Sequence, residues 1–437
     1  MPPDILILGG GPAGLSTALH LAQLAPELTP RILVLEKARY PRHKLCAGGL
    51  TGDAEILLQR LGLDVAEIPH VDATEAHLDF AGKGLIIAPR RAHALRIIRR
   101  DEFDAWLAAK ARLAGIEIRE GVKARRVEPR PDSVIVDTDS GVFEAAVVIG
   151  ADGSNGITRR CILPKSPIHT ARALEALVPL GHVVVEDPVL FGLSEAKQSA
   201  TPNLVLNHCS NLPALQSSAS RPNAPGTNMH DADVAYLDFA PVPLGIAGYT
   251  WDLPTQLKGQ PMRCWGIYDT NLLADCERPP LAQPLANEMQ RQGNALDDIE
   301  LQGHPVHWFT PFSRLSVPRV ILVGDAAGAD GIFGEGISIA LGYGRIAAEA
   351  ICDASARGDF SFQDYRRRVL GSPLGQALTV RTGITHILYR LHWAWFQRFF
   401  WRLFKPVVDA VASVLVLNWA RRMRQSLDPA ASPLWKA

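Results

Sequence analysis

Three glycines and one acidic residue near the start of the chain have the types and spacing needed to bind a dinucleotide. Gly9, Gly11 and Gly14 match a pattern in which one glycine makes a tight turn, the next lets the backbone approach a pyrophosphate, and the third lets a helix pack closely on a strand. Glu36 lies 22 positions after Gly14 and can accept hydrogen bonds from both hydroxyls of a ribose. These four residues therefore indicate dinucleotide binding.

The predicted elements around these glycines are the ones that the pattern requires. Residues 4–8 are apolar and predict a buried parallel strand, residues 15–25 have a helical pattern, and residues 31–35 predict a second apolar strand. The helix N-terminus would face the phosphates with its free N–H groups and the positive end of its dipole. A similar glycine pattern at Gly342 and Gly344 has no preceding strand, so we interpret it as helix packing.

The composition argues against several other classes of protein. The 45 basic and 45 acidic residues of this 437-residue chain cancel, which gives no support to nucleic-acid binding. Its six cysteines form no Cys-x-x-Cys pair, so we expect neither a disulfide framework nor a bound metal. The first predicted strand begins at residue 4, and no run of about twenty apolar residues follows. We therefore expect a cytoplasmic protein without a standard secretion signal or a membrane span.

Other stretches could bring backbone or polar side chains to the same ligand. Residues 37–50 are basic and contain glycines, and we interpret them as a loop folded over the cofactor. Two later strands, at 147–149 and 319–323, are apolar and end at turns that contain glycine. The residues after these strands are Gly150, Ala151, Asp152 and Gly153 in the first case, and Gly324, Asp325, Gly334, Gly336 and Ile337 in the second.

Two local predictions concern residues between these segments. Residues 53–61 predict a helix capped by Thr51. His304 and His307 have a spacing close to that of metal ligands, but they lie beside Pro305 and have no carboxylate partner in the sequence. We therefore interpret the two histidines as solvated loop residues.

The order of these segments predicts an α/β protein with a discontinuous Rossmann-type domain. Runs typical of strands, at 182–185, 203–207, 234–239 and 262–268, are separated by clusters rich in proline, serine and asparagine, which predicts an inserted antiparallel sheet. The predicted domains are a dinucleotide-binding domain of residues 1–75, 95–165 and 305–360, a substrate domain of residues 76–94 and 166–304, and a helical C-terminal region of residues 361–437.

Three of these segments together resemble the flavoproteins of the p-hydroxybenzoate hydroxylase fold: the turn at 9–14, the turn at 150–153 and Gly324-Asp325. The resemblance covers residues 1–165 and 305–355 and implies FAD as the cofactor. The sequence has no recognisable second nucleotide domain. The sequence therefore leaves two reductants possible, NAD(P)H and a protein electron donor.

The same resemblance implies roles for particular residues. In that group the glycine triplet binds the ADP half of FAD, the segment that contains Asp152 serves the middle of the cofactor, and Asp325 places a carboxylate on the ribityl chain. Arg100 matches an arginine that the group places near the pyrophosphate, with Arg99 as its rival.

Two shorter stretches resemble the geranylgeranyl reductase family within this fold. Residues 41–50 are similar to that family's loop of a lysine, a cysteine and two glycines, with Ala47 where many members carry glycine. Residues 248–254 are similar to its Tyr-x-Trp-x-Phe-Pro segment, with Leu253 in place of the aromatic residue. The family saturates double bonds of isoprenoid chains with reduced FAD. The resemblance therefore implies a reductase that acts on an apolar isoprenoid or polyene substrate.

The residues expected to act in this chemistry are Cys46, Tyr249 and Trp251. Cys46 is either a small buried residue or a residue that tunes the flavin or delivers a proton. Tyr249 and Trp251 alternate on a predicted strand, where they form either an apolar wall for the substrate or part of the core. The positions expected to hold the cofactor are Gly9, Gly11, Pro12, Ala13, Gly14, Glu36, Lys37, Lys44, Cys46, Ala47, Gly48, Arg100, Asp152, Gly324, Asp325, Gly334, Gly336 and Ile337.

Two other functions stay open. An aromatic hydroxylase or halogenase of the same fold would use oxygen, although halogenases favour Trp-x-Trp-x-Ile-Pro and Tyr249 replaces the first tryptophan. A non-catalytic prenyl-binding protein would have no need of flavin, which the intact glycine triplet, Glu36 and Asp325 argue against.

The C-terminal segment 388–424 combines aromatic and basic residues. Between residues 381 and 424 there are eight Lys or Arg residues and one Asp. Tryptophan and arginine together suit the headgroup region of a membrane, where a ring is half buried and a basic side chain reaches phosphate. The segment predicts either a helical cap over the substrate pocket or peripheral contact with the cytoplasmic membrane surface.

Overall fold

The computed structural model describes residues 4–89, 93–180, 230–294, 299–403 and 418–423. The strands that the sequence predicts at 182–185 and 203–207 lie outside the described residues. Parts of the C-terminal segment 388–424 lie outside them as well.

Strands and helices alternate in the first and last segments of the chain, whereas strands dominate its middle. The strands are β1 Ile5–Leu8, β2 Ile32–Glu36, β3 Gly49–Leu50, β4 His70–Ala73, β5 Glu75–Phe80, β6 Lys83–Ile87, β7 Leu95–Ile98, β8 Glu117–Glu120, β9 Ala124–Pro129, β10 Val134–Thr138, β11 Gly141–Ala145, β12 Val147–Gly150, β13 His169–Pro179, β14 Val234–Asp238, β15 Gly248–Leu257, β16 Gln260–Asp269, β17 Gln302–Trp308, β18 Ser316–Val317 and β19 Val320–Leu322. The helices are α1 Pro12–Leu24, α2 Gly52–Arg60, α3 Arg100–Leu113, α4 Ile157–Ile162, α5 Ala282–Arg291, α6 Ile337–Arg357, α7 Tyr365–Gly371, α8 Pro373–Arg390, α9 Ala394–Leu403 and α10 Trp419–Arg422.

Six strands form a sheet in the order β18-β19-β12-β1-β2-β8, in which all neighbours are parallel except the edge pair β18 and β19. Strands β1, β2 and β12 are buried along their whole length, which explains their almost continuous apolar sequence. The chain passes from β1 to β2 on one side and later returns to β12 on the other. The carboxyl end of β1 is therefore a switch point, where open α/β sheets bind ligands. The predicted Rossmann-type fold is confirmed.

A seven-stranded sheet in the order β17-β13-β16-β15-β14-β5-β6 confirms the inserted antiparallel sheet. All of its neighbours are antiparallel except β14 and β5, which run parallel. The strands predicted at 234–239 and 262–268 correspond to β14 and the body of β16. Two smaller sheets, β11-β10-β9 and β3-β7-β4, connect to the larger ones. The exact domain bounds stay a prediction.

Helices α1 and α6 pack closely along each other beside the parallel sheet. A β-carbon on Gly344 would lie 2.3 Å from the hydroxyl oxygen of Ser16, and that hydroxyl donates to the carbonyl oxygen of Leu341 at 2.9 Å. A β-carbon on Gly342 would lie 2.5 Å from the ring of Trp419 on α10. Both glycines allow close approach of other elements, so their interpretation as helix packing is confirmed.

Two local predictions are wrong. Thr51 occupies the N-cap position of α2, but its side chain makes no capping hydrogen bond and donates instead to Glu335 Oε1 at 2.7 Å. His304 and His307 are partly buried on strand β17 and do not lie in a solvated loop. The neighbouring Pro305 is compatible with this strand because β17 lies at the edge of its sheet.

The described part of the C-terminal region is helical, as predicted. Helix α8 packs on α7 and α6, and α9 lies against β5 and β6 of the seven-stranded sheet. Across the described ranges, no helix combines the length and the apolar character that a membrane span requires.

Candidate cofactor and substrate site

The glycine turn after β1 is shaped by contacts that exclude side chains at two positions. Gly9 has a φ angle of +111°, and a β-carbon there would lie 2.3 Å from the carbonyl oxygen of Ala151. A β-carbon on Gly14 would lie 2.0 Å from the carbonyl oxygen of Gly9. Pro12 and Ala13 follow as the first residues of α1, with Gly11 as its N-cap. The turn therefore presses the start of α1 against β1 and β12.

Gly11 differs from the other two glycines because its open side faces two arginines. A β-carbon on Gly11 would have nearest neighbours at 3.6 Å from Arg42 Nη2 and 3.9 Å from Arg100 Nη2. Asp104 holds both guanidinium groups in place: it accepts hydrogen bonds from Arg100 at 2.9 Å and 2.9 Å and forms an ion pair with Arg42 at 2.9 Å. The guanidinium groups of Arg42 and Arg100 and the N-terminus of α1 thus surround the open side of Gly11.

The sequence predicts Arg100 at this position but does not identify its partners. Its rival Arg99 forms an ion pair with Asp101 at 3.3 Å. Arg42 was included only as part of a basic loop, and Asp104 was missed. The spacing of Arg100 and Asp104, four residues apart on one helix, is a signal that could have identified the pair.

Glu36 lies beside the turn and is engaged by backbone groups. Its Oε2 atom accepts from the N–H of Gly10 at 2.9 Å, and its Oε1 atom accepts from the N–H of Ala38 at 3.0 Å. The hydroxyl of Tyr40 donates to the carbonyl oxygen of Gly10. Lys37, by contrast, is exposed. Binding of a ribose by Glu36 and a role of Lys37 in cofactor binding stay predictions.

The turn after β12 touches the glycine turn, but its acidic side chain faces the other way. Ala151 contacts Gly9, as described above, whereas Asp152 Oδ2 accepts from both the backbone N–H and the hydroxyl of Thr158, each at 2.9 Å. Asp152 thereby holds the start of α4. Its role as a cofactor residue stays a prediction, and the described geometry gives it a local structural task.

Gly324 and Asp325 lie where the N-termini of α1 and α6 meet. A β-carbon on Gly324 would lie 2.7 Å from the β-carbon of Ala13, and one on Gly336 would lie 3.5 Å from Asp325 Oδ1. Burial raises the pKa of Asp325, and the nearby positive charges of Lys44 and Arg100 oppose this rise. Gly336 is the N-cap of α6 and Ile337 its first residue. These predicted residues therefore lie together.

The loop of residues 44–48 closes the site from the side of the seven-stranded sheet. Lys44 Nζ donates to His304 Nε2 at 2.7 Å, and burial lowers the pKa of both groups, that of His304 to about 4. Cys46 Sγ accepts from the N–H of Gly48 at 3.4 Å. Burial raises the pKa of the Cys46 thiol, so the thiol is protonated at neutral pH. Gly48 has a φ angle of +81° and no room for a β-carbon, which would lie 1.9 Å from the carbonyl oxygen of Ile98.

A buried ion cluster fixes the loop of residues 330–336 that precedes α6. Arg381 Nη1 of α8 lies 2.5 Å from Glu335 Oε2 and 3.3 Å from Asp330 Oδ2. Asp330 in turn accepts from the N–H groups of Ile332 and Phe333, each at 3.0 Å. Burial alone would raise the pKa of Glu335, but the Arg381 charge and donated hydrogen bonds hold it below its usual value. The start of α6 is thus tied to the C-terminal region.

An aromatic cluster fills the space between the seven-stranded sheet and these loops. Tyr249 lies at its centre, and its hydroxyl donates to the carbonyl oxygen of Phe333. Trp251 lies on the same face of β15, as predicted, with its ring centroid 6.2 Å from that of Tyr249. Ala47 and Phe333 pack against the larger buried apolar core to which these residues belong. We define the aromatic cluster as Phe239, Tyr249, Trp251, Tyr268, Phe333 and Trp401.

This arrangement fits FAD. The diphosphate would meet the two arginines and the helix terminus at Gly11, which supply positive charge and free N–H donors. Asp325 and the N-terminus of α6 would lie along the rest of the cofactor, and the loop of residues 44–48 would approach its ring. Gly334, with a φ angle of +64°, lies against the ring of Tyr268 and brings the backbone close to the same region. Among the described residues, no group of three or more His, Cys, Asp or Glu side chains is arranged to hold a metal ion.

Comparisons with known proteins support an FAD-binding domain. Residues 3–181 match the model of a family described as an FAD binding domain. An uncharacterized protein of Methanosarcina barkeri is 27% identical over 366 residues, which cover 84% of this chain and 78% of that protein. A menaquinone reductase of Mycolicibacterium smegmatis is 28% identical over 170 residues, covering 36% of this chain and 39% of that one.

Solved structures are similar over nearly the whole chain. A geranylgeranyl bacteriochlorophyll reductase-like protein of Thermoplasma acidophilum superposes with a TM-score of 0.67 at 20% identity, covering 96% of this chain and 98% of that one. The flavin-dependent brominase Bmp2 superposes with a TM-score of 0.62 at 19% identity, covering 95% of this chain and 93% of that one. At this level of identity the likeness concerns the fold. Together with the domain match, it shows an FAD-binding domain within the fold of the p-hydroxybenzoate hydroxylase-type flavoproteins.

Proposed function

We propose that this protein is an FAD-dependent reductase that saturates carbon–carbon double bonds of an apolar isoprenoid or polyene substrate. The observation that carries the proposal is the position of the aromatic cluster. It includes Phe333 of the segment before α6 and lies in the same apolar core as Ala47 of the loop of residues 44–48, the two segments expected to meet the flavin ring. An apolar chain held there would lie beside the reactive part of the cofactor.

In the proposed reaction, the residues of this chain and the cofactor have different roles. Reduced FAD supplies hydride to the substrate. Tyr249 and Trp251 hold an apolar chain by contact and exclude water, and the N-terminus of α6 favours negative charge on the cofactor. Cys46, with its thiol protonated, tunes the flavin or delivers a proton and does not act as a nucleophile. The electron donor is NAD(P)H or a reduced protein.

Two of the similar proteins support this reaction class. One is named as a menaquinone reductase and the other as geranylgeranyl bacteriochlorophyll reductase-like. The brominase has the same fold and a different chemistry in its name, so oxygen-dependent reactions are the competing outcome of the experiment.

The experiment reduces the flavin-loaded protein without oxygen and then adds geranylgeranyl lipids or a polyene. We expect the flavin spectrum to return to the oxidised form and the product to gain two hydrogen atoms per turnover. NAD(P)H replaces the chemical reductant in a second series. Reoxidation only when oxygen and an aromatic substrate are present, with a hydroxylated or halogenated product, would contradict the proposal.

Two tryptophans on opposite faces of the sheet provide a matched pair of variants. Trp251 belongs to the aromatic cluster, whereas Trp265 on β16 packs in a separate cluster on the other face. We expect Trp251→Leu to weaken use of the apolar substrate while FAD still binds. Trp265→Leu should lower stability without a selective effect on the substrate. Equal effects of the two variants on substrate use would argue against direct contact between Trp251 and the substrate.

We further propose that the C-terminal segment brings the aromatic cluster to an anionic membrane surface. Trp401 on α9 closes the aromatic cluster, with its ring 4.8 Å from that of Phe239. The other side of the segment exposes large apolar groups: Trp393 is 51% exposed and Trp395 66%. The same stretch carries Arg390, Arg398 and Arg402, which complement anionic headgroups.

Flotation with anionic and neutral liposomes tests this surface. We expect binding to anionic liposomes at low salt and loss of binding at high salt, because each basic residue near such a surface contributes about 1 kcal/mol. Replacing Trp393 and Trp395 by serine should weaken binding, whereas the exposed Phe312 lies outside the C-terminal region and Phe312→Ser serves as control. No flotation at low salt would refute this proposal and leave the reductase proposal intact.

A further inference from the structure

Glu175 lies on β13 at a position that would place an acidic group inside the proposed substrate site. Side chains alternate along a strand, so Glu175 shares a face with Ala173 and Leu177, which both pack against the apolar core containing the aromatic cluster. Leu174, its neighbour in the chain, packs in the cluster on the other face. The carboxyl group therefore faces the flavin side of the sheet and is only partly buried there.

The strand next to Glu175 has a glycine that lets an aromatic ring approach. Gly266 pairs with Glu175 on one side and with Trp251 on the other. A β-carbon on Gly266 would lie 2.1 Å from Cζ2 of Trp251, so the indole ring lies over the glycine. Trp251, Gly266 and Glu175 thus form one row across three strands.

The loop that is expected to meet the flavin lies on the other side of Glu175. Its Oε1 atom accepts from the backbone N–H of Cys46 at 3.1 Å. The carboxyl group is therefore bordered by the Cys46 loop and by the row that ends in Trp251. Within the described residues, the Glu175 carboxyl group forms no ion pair. The charges of Lys44 and Arg99 are nevertheless close enough to lower its pKa.

We propose that Glu175, rather than Cys46, is the proton donor of the reduction. Saturating a carbon–carbon double bond requires one hydride and one proton on its two carbons. The hydride and its electron pair would come from bound reduced FAD, which would thereby be oxidised; the carboxylic acid of Glu175 gives the proton to the other carbon and becomes a carboxylate. The partly exposed carboxylate then takes a proton from water. This inference rests on the proposed reductase function.

The electrostatic surroundings of Glu175 support this role. Burial raises its pKa to about 7, although the Cys46 N–H and the charges of Arg99 and Lys44 act to lower it. A substantial fraction of the carboxyl group is therefore protonated near neutral pH. The titratable groups that face it from neighbouring elements are Lys44 and Cys46 from the loop, Arg99 from the start of α3, and Cys264 from β16, with His304 of β17 in contact with Lys44.

Three variants separate proton donation from a structural role. Glu175→Gln keeps an oxygen that can accept from the N–H of Cys46 but has no acidic proton. Glu175→Ala removes both functions. Glu117→Gln, at an exposed position of β8, is the control for a change of one carboxyl group. FAD affinity of each variant is measured by titration of the flavin-free protein.

The first measurement follows the carboxylic acid band by infrared spectroscopy while pH is varied. Burial raises the pKa of Asp238 to about 7 as well, so its band should remain in every variant. In the wild-type protein and in Glu117→Gln we expect a second carboxyl group that titrates near pH 7, and in Glu175→Gln we expect this second component to be lost. A titration that is unchanged in Glu175→Gln would overturn the inference, whatever the reaction of the enzyme proves to be.

The second measurement is the rate at which substrate reoxidises the reduced flavin. We expect Glu175→Gln to lower this rate by at least about 100-fold, with reduction of the flavin and FAD affinity unchanged, because general acids contribute about 10²–10⁴-fold. The wild-type rate should fall as pH rises above about 7, and this fall should be absent in the variant.

The outcomes distinguish the two proposals. If the wild-type protein reduces the substrate and Glu175→Gln does so at the same rate, while only Glu175→Ala is impaired, Glu175 merely positions the Cys46 loop and the inference is wrong. If the wild-type protein has the titrating carboxyl group but reduces no alkene, the reductase proposal fails and the proton-donor role fails with it.

Discussion

Replacing Asp104 with asparagine would test whether its two arginine partners face the diphosphate of FAD. Asp104 is fully buried and holds Arg100 and Arg42 by contacts of 2.9 Å. The amide has nearly the same shape but no charge. Arg100, with a side chain only 10% exposed, therefore loses its carboxylate partner, and Arg42, only 12% exposed, keeps the Glu36 carboxylate at 3.4 Å. Breaking a buried ion pair in this way costs about 3–5 kcal/mol. We therefore expect the Tm of the flavin-free protein to fall by about 3–5 °C, because an unfolding entropy of about 2.1 cal/mol/K per residue over 437 residues corresponds to about 1 °C per kcal/mol.

Added FAD should reverse part of this loss. A ligand present at about 100 times its Kd stabilises a protein by about 2.7 kcal/mol, and the diphosphate would supply the negative charge that the variant lacks. We expect the rise in Tm on adding FAD to be larger for Asp104→Asn than for the wild-type protein. Thermal unfolding followed by circular dichroism, with and without FAD, measures both quantities.

Asp72 provides a control outside the glycine turn. It forms a two-point ion pair with Arg96, at 2.7 Å and 2.9 Å, in the small sheet of β3, β4 and β7, and its side chain is 37% exposed. Exposed pairs contribute about 0–1 kcal/mol, so Asp72→Asn should change the Tm little and leave the effect of FAD unaltered. If FAD raised the Tm of Asp104→Asn no more than that of the wild-type protein, the two arginines would not face the diphosphate.

Three further predictions address other parts of the site. Asp325→Ala should weaken FAD binding by about 1.5–3 kcal/mol, roughly 10- to 150-fold in Kd, as measured by flavin titration; an unchanged Kd would remove Asp325 from the cofactor site. Gly266→Ala should lower the free energy of unfolding by about 1–3 kcal/mol through its clashes with Trp251 and with the carbonyl oxygen of Leu174 at 2.5 Å, and adding Trp251→Leu should relieve the part of this loss that is due to Trp251; strictly additive effects would contradict the described contact. Arg381 holds the pKa of Glu335 below its usual value, so the Glu335 carboxylate stabilises the fold above pH about 4.3, and this contribution is lost as pH falls through the lowered pKa. The difference in unfolding free energy between the wild-type protein and Glu335→Gln should therefore become smaller in acid. A difference that becomes larger in acid would contradict this sign.

The features that could be predicted from the sequence are those set by local chemistry. The strand β1, the glycine turn and the start of α1 follow from apolar periodicity and from the steric demands of a few backbone positions, which neighbouring residues reveal. The alternation of Tyr249 and Trp251 similarly indicated that they share one face of a strand. Such features do not depend on which distant strand becomes the neighbour.

The features that the sequence did not reveal depend on strand order and register. Glu175 resembles any polar residue of a partly exposed strand until β13 is paired with β16 and the residue opposite is seen to be Gly266. His304 was expected in a loop because proline is disfavoured in most strands, and only the edge position of β17 explains its place. The contact of His304 with Lys44 joins residues 260 positions apart, which no local pattern encodes.

The ties between the cofactor domain and the end of the chain have a consequence for biosynthesis. A nascent chain that has emerged only as far as α6 lacks Arg381, so Asp330 and Glu335 would have to be buried without their cation. It also lacks Ala420, whose N–H donates to Asp53 Oδ1 at 2.9 Å, and Trp419, which packs on Gly342. The contacts that fix the loop before α6 and helix α2 are therefore complete only when the chain as far as Ala420 is available.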